Sequence, residues 1–156
     1  MNYLKTIILF LTCALFTVSC GSKKDFDFAS AEVALVANEG YETATLRSTG
    51  YGNSKDEALY QAEKLAFENL FFRGFPNSNF RNPIIGLDRN AIEKKHPTFF
   101  DEFYGNTMRT FISSSYQSTP FQKSKGTHIT TVDLTINVNT LKKYLEDKGI
   151  VRRFGL

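Results

Sequence analysis

An α+β domain, a small and mostly antiparallel sheet with helices packed on one face, follows from three features of the chain. Residues Thr127 to Val138 alternate strictly, Val132, Leu134, Ile136 and Val138 against Thr131, Asp133, Thr135 and Asn137, as in a strand with one buried face. Residues Ala58 to Leu70 instead place apolar side chains three and four apart, which is helical spacing. The order of the segments, strand, helix, irregular insert, strand, strand, helix, lacks the regular strand–helix repeat of a parallel sheet.

The chain opens with Met1 to Lys5, which carries one basic residue, followed by an apolar run from Thr6 to Phe16. A membrane-spanning helix needs about 20 apolar residues, so this run reads as an export signal. Residues Thr17-Val18-Ser19-Cys20-Gly21 resemble a lipobox, with small Ser19 before the cysteine and Thr17 where leucine is commonest. The expected product loses residues 1–19 and carries lipid on Cys20. Residues 20–30 then act as a tether to a single domain over 31–156. A thiol forms the thioether to diacylglycerol, and the freed amine takes a further acyl chain. One chain holds a protein only weakly, whereas two or more hold it firmly. Cys13 leaves with the signal, so the mature domain has neither a disulfide nor a free thiol.

Ala31 to Ala37 reads as a short strand or a helical turn, broken by Asn38-Glu39-Gly40. Thr43 to Thr49 is rich in β-branched residues and reads as a strand. Gly50-Tyr51-Gly52 reads as a tight turn whose glycines supply positive φ. Ser54 with Glu57 forms a capping box, and Ala58, Ala62 and Ala66 form a ridge that lets the helix approach a sheet closely. Gly74 and Pro76 end this helix. The insert at 74–106 is rich in proline, asparagine and aromatic residues, with a short helix expected from Asp88 to Lys95. Thr107 to Ser118 is a strand with muddled alternation, and Pro120 to Gly126 forms the loop of a hairpin with the strand from Thr127. A last helix runs from about Thr140 to Lys148, capped by Asn139. Its Leu141, Tyr144 and Leu145 face inward, and Gly149 is its C′ residue. A short strand over Ile150 to Phe154 closes the chain.

Removal of Lys5 leaves 18 basic against 16 acidic residues, a near balance that does not suggest nucleic-acid binding. His96 and His128 stand apart from any second ligand at metal-site spacing. No nucleophile-elbow, zincin or Walker sequence occurs. Gly50-Tyr51-Gly52 lacks the third glycine of a dinucleotide loop, since Lys55 stands there. Glu93, Asp101 and Glu102 make a loose acidic set that reads as solvated charge. These features predict no catalysis, no cofactor and no metal. The feature with most functional weight is the aromatic set Phe71, Phe72, Phe75, Phe80, Phe99, Phe100, Phe103 and Tyr104. It reads either as a secondary core beneath the insert or as an exposed partner or ligand surface.

The run from Thr45 to Ala58, a strand ending in Gly-x-Gly before a serine-capped helix, continues with Ala62 and Ala66. It resembles the small outer-membrane lipoproteins of the Lpp-twenty type and the N-terminal domain of the flagellar assembly T protein. The resemblance covers residues 43–73, and the insert at 74–106 departs from it. It implies a sheet with a packed helix, membrane anchoring and a non-catalytic structural or assembly role. Gly21 rather than aspartate after the cysteine points to the outer membrane. The expected function is a lipid-anchored envelope module that binds protein partners. The alternative is a carrier for a small apolar ligand with the aromatic insert as its lid.

Overall fold

The computed structural model describes residues 32–152. Its strands are β1 (Val33–Glu39), β2 (Thr43–Gly52), β3 (Ile112–Ser124) and β4 (Thr127–Asn137), and its helices are α1 (Lys55–Phe72), α2 (Arg89–Lys95), α3 (Pro97–Glu102) and α4 (Val138–Asp147). A π-type turn at Phe103–Thr107 and a 3-10 turn at Met108–Phe111 lead into β3. The four strands form one open sheet in the order β1-β2-β4-β3, antiparallel throughout. Helices pack against it, so the fold is α+β. Two hairpins, β1–β2 and β3–β4, are joined through α1 and the insert, and β2 meets β4 along its full length, from Thr43 opposite Asn137 to Gly52 opposite His128.

Period-two alternation gives the sheet two unlike faces. Ala44, Leu46 and Ser48 of β2 and Val132, Leu134 and Ile136 of β4 point into the core, with Leu65, Ala66, Leu70, Leu141 and Leu145 from the helices. Gly50 and Gly52 lie within β2 and have no positive φ. The expected tight turn is therefore wrong, and the reason for the glycines is steric. A Cβ at Gly50 would stand 2.1 Å from the Ala58 carbonyl oxygen and 2.3 Å from the Ala62 nitrogen, and one at Gly52 would stand 2.5 Å from the Ala58 nitrogen. The alanine ridge and the two glycines together let α1 touch the sheet backbone to backbone.

α1 starts as its sequence predicts. The Ser54 hydroxyl accepts the Glu57 N–H (3.1 Å), and the Glu57 carboxylate accepts the N–H of Asn53 (2.7 Å), one residue ahead of the cap. Its end is tied down by the insert. Helix C-termini leave four carbonyls without helical partners. Here the Asn69 carbonyl accepts from Arg73 and Gly74, the Leu70 carbonyl from Ile84, and the Phe71 carbonyl from Ile85 and Gly86. Gly74, at φ +72°, makes the reversal.

Several boundaries differ from expectation. Of the segment expected from Ala31 to Ala37, residues from Val33 onward form the strand β1, and Ala31 lies outside the described residues. α2 forms with Asp88 as its cap, accepting from Ala91 (3.0 Å), but α3 follows directly, so the insert is partly helical. β3 begins at Ile112, because Met108 and Phe111 turn helically into the core. Three register shifts against β4 account for its muddled alternation. It continues through Pro120, which an edge strand tolerates, and the turn shrinks to Lys125 and Gly126, both at positive φ, as a tight hairpin requires. The cap of α4 is Asn137, accepting from Thr140 (3.0 Å), and not Asn139. The N–H groups of Val138 and Asn139 instead donate to the Glu42 carbonyl in the β1–β2 turn. Residues 150–152 form no strand, and the remainder of that expected strand lies outside the described residues.

Candidate functional site

The face of the sheet opposite the core carries an ordered polar array. Arg47 lies across from Asp133, with Thr45 across from Thr135 and Thr49 across from Thr131. The paired threonine hydroxyls are 2.9 Å apart on both sides. Arg47 donates to both Asp133 oxygens, Nε to Oδ1 at 2.7 Å and Nη2 to Oδ2 at 2.6 Å. From β3, the Tyr116 hydroxyl donates to Oδ2 at 2.7 Å. The Asp133 side chain is fully buried beneath these two, while the side chain of Arg47 is 52% exposed and Tyr116 is 60% exposed.

The electrostatics follow from the geometry. The Arg47 hydrogen bond holds the Asp133 carboxyl below the usual carboxylate range against the opposing effect of burial, and the Tyr116 bond acts with Arg47. The same bonds raise Arg47 and Tyr116 above their ordinary values. Both carboxylate oxygens are occupied by donors fixed on neighbouring strands. The array is thus a polar layer of paired charges and hydroxyls joined across three strands. Asp133 was legible as an outward-facing residue of its strand, but its partners were not. The available signal is that Arg47 and Asp133 are each flanked by threonine at both second neighbours, a pattern that pairs only when two strands separated by the insert meet.

The aromatic set lies elsewhere and is not a surface. Phe71, Phe72, Phe75, Phe80, Phe100, Phe103 and Tyr104 are buried, and Phe99 is half-buried. The insert folds back over the second half of α1, and the rings pack on one another. Phe103 lies 5.2 Å from Phe71, 5.6 Å from Phe67 and 6.0 Å from Phe111 between centroids, and Phe99 stacks on it at 5.8 Å. Burial of this much aromatic area drives the fold-back, and of the two readings the sequence allows, core or exposed surface, the burial of these rings fits the core. Phe67 and Phe111 belong to it as well. Phe67 could have been found from its place one helical turn before Phe71.

Ion pairs seal the border of this core. Arg89 of α2 donates to both oxygens of Glu68 on α1, at 2.8 and 2.6 Å, and to Glu93 at 2.9 Å, and Lys64 stands 3.7 Å from Glu68. Burial raises the Glu68 carboxyl above its ordinary value, and Arg89 and Lys64 only partly oppose it. Arg109 reaches Glu63 at 2.7 Å. The Tyr104 hydroxyl is buried with no hydrogen-bond partner among the described residues, its ring under Lys64 at 4.8 Å. Burial pushes that phenol well above its ordinary value.

Of the loose acidic set, Glu93 is held by Arg89, and Glu102 borders an open cavity of about 320 Å³ with His96 and Lys148. His128 sits in β4 opposite Gly52 and Lys123. Among the described residues no group of three or more His, Cys, Asp or Glu side chains could hold a metal ion, and no helix is long and apolar enough to cross a membrane. Cys20, the expected lipidation site, lies outside the described residues. Comparison with protein-family models, with curated proteins and with solved structures returns no match.

Proposed function

We propose that this chain is a lipid-anchored lipoprotein of the bacterial cell envelope, acting as a non-catalytic structural or assembly module that binds envelope proteins. The observation that carries the reading is the N-terminal sequence. A short basic start, an apolar run too short to span a bilayer and Ser19-Cys20-Gly21 stand in the order that export and lipid attachment need. Gly21 in place of aspartate directs the product to the outer membrane, and the resemblance of residues 43–73 to Lpp-twenty-type lipoproteins supports the same destination. The polar plane centred on Arg47, Asp133 and Tyr116 supports the binding role. It is held by side-chain bonds across three strands, and exposed Arg47 keeps its Nη1 free of these bonds, while the Tyr116 hydroxyl, which donates to Asp133, can still accept from a partner.

Fractionation of intact cells with crosslinking tests both parts. The wild-type chain is expected in the outer-membrane fraction, crosslinked to at least one other envelope protein, and Cys20→Ala in the soluble fraction. Recovery of monomer alone from wild-type membranes contradicts the binding role. Equal solubility of the two forms contradicts the anchor.

A further inference from the structure

We propose that two copies of this chain pair edge to edge, β1 against β1 in antiparallel sense, joining two four-stranded sheets into one of eight strands. The order β1-β2-β4-β3 leaves two outer strands, and the two are built differently. An outer strand presents a row of unpaired N–H and C=O groups, and proteins blunt such edges with proline, lysine and bulges. β3 carries all three, with Pro120, Lys123 and three register shifts against β4. β1, Val-Ala-Leu-Val-Ala-Asn-Glu, has no proline and no basic residue, and its one register shift leaves Val36 without a counterpart on β2. The strand is apolar as well as open. Val36 is 49% exposed, Ala34 and Ala37 are exposed, and Leu35 is only partly buried. α1 packs over β2 and β4 and scarcely touches β1, so no described helix covers its outer border. Among the described residues, no backbone hydrogen bond outside the β1–β2 ladder involves Ala34 to Asn38.

The sequence of β1 suits a second copy of itself. Antiparallel pairing about Val36 sets Leu35 opposite Ala37, Ala34 opposite Asn38 and Val33 opposite Glu39. Glu32, hydrogen-bonded to Tyr51, then lies opposite Gly40. No charge stands directly opposite a like charge, an arrangement that would be destabilising. Parallel pairing in register would stack Glu39 on Glu39, whereas the antiparallel pair holds those two carboxylates about 20 Å apart at strand spacing. A two-fold axis at Val36 relates the copies, so the contact closes on itself and gives a dimer rather than a filament. The blunted β3 edge stops further growth. Seven residues a side fall short of the roughly 20–30 of a standard interface. The pair therefore depends on a raised local concentration, which copies anchored in one bilayer have, and that dependence rests on the lipid anchor proposed above.

Photo-crosslinking in intact cells provides the test, with p-benzoylphenylalanine placed in the full chain at Ala34 on β1 or at Ser115 on β3, both exposed. The expected product from the β1 site is a dimer band whose peptides all come from this chain, severalfold stronger than any from the β3 site. V36K and N38K each put a lysine on the open edge. Each should remove most of that dimer while leaving the melting temperature of the purified variant unchanged. A crosslink from the β1 site to a different protein overturns the second copy as occupant. Equal dimer yield from the two edges, or an undiminished yield in either folded lysine variant, overturns the pairing. Chain recovered in the membrane fraction with no crosslink overturns the pairing alone. Chain recovered in the soluble fraction with none overturns the anchor and the pairing together.

Discussion

A methyl group at position 50 would fall inside the backbone of α1, within 2.3 Å of two of its atoms. Neither atom can rotate away as a side-chain tip could, so strand and helix must separate. Gly50→Ala is expected to destabilise the domain by about 3 kcal/mol or more, at or above the upper end of overpacking changes. Gly105 is the control. A Cβ there meets nothing within 4 Å and its φ is not positive, so Gly105→Ala should change stability by less than about 1 kcal/mol. Urea denaturation of both variants checks the pair. Two carboxylates predict opposite pH effects. The folded pKa of Asp133 is depressed, so its contribution is present above the ordinary aspartate value and is lost as pH falls below it. The folded pKa of Glu68 is raised, so the native state binds its proton more readily, and stability from this group declines as pH rises through the range just above the ordinary glutamate value. Denaturation midpoints measured from pH 3 to 7 should therefore lose part of their acid sensitivity in Asp133→Asn. The reverse slope should be removed in Glu68→Gln. The sequence marks Asp133 as outward-facing and Gly50 as special, yet conceals why. Both reasons depend on contacts across β2, β4 and α1, which no local pattern encodes.

The start of α1 was fully legible, because a capping box is a local arrangement: Ser54 and Glu57 need only each other and the adjacent backbone. Ser54→Ala should cost about 1 kcal/mol in thermal or urea unfolding. The clean alternation of β4 was legible for the same reason, since strand and side-chain period coincide. β3 was less so. Its three register shifts break the alternation, and its expected first residues are helical because burying Met108 and Phe111 outweighs extending the strand. The cap of α4 moved to Asn137 because the N–H groups of Val138 and Asn139 are claimed by Glu42, a residue nearly a hundred positions earlier. The insert was the least legible segment. Its aromatic residues read as a secondary core or as a surface until Ile84, Ile85 and Gly86 are seen to take the last carbonyls of α1 and draw the rings inward. Phe103 stands at the centre of that packing. Phe103→Ala should lose about 3–5 kcal/mol, with a smaller loss for half-buried Phe99→Ala. Amide hydrogen exchange in Phe103→Ala should rise first over residues 84–107.

Two hairpins clasped by one helix and an aromatic insert give a domain whose apolar material lies on one side of the sheet, while the other side offers a fixed polar plane. A chain without cysteine beyond position 20 has no disulfide to brace this arrangement, and the 23 buried apolar residues of one cluster among the described residues supply a core for it. The α+β character was legible because it needs only segment types and their order. The pairing of β2 with β4 was not, since the two strands are separated by the whole of α1 and the insert. The functional reading has its roots at the other end of the chain, in the residues around Cys20. Mass spectrometry of the N-terminal peptide from cell-purified protein examines that root. The expected spectrum shows a peptide that begins at Cys20 and carries two or three acyl chains. A peptide that begins elsewhere, or an unmodified Cys20, would contradict the anchor and the envelope role built on it.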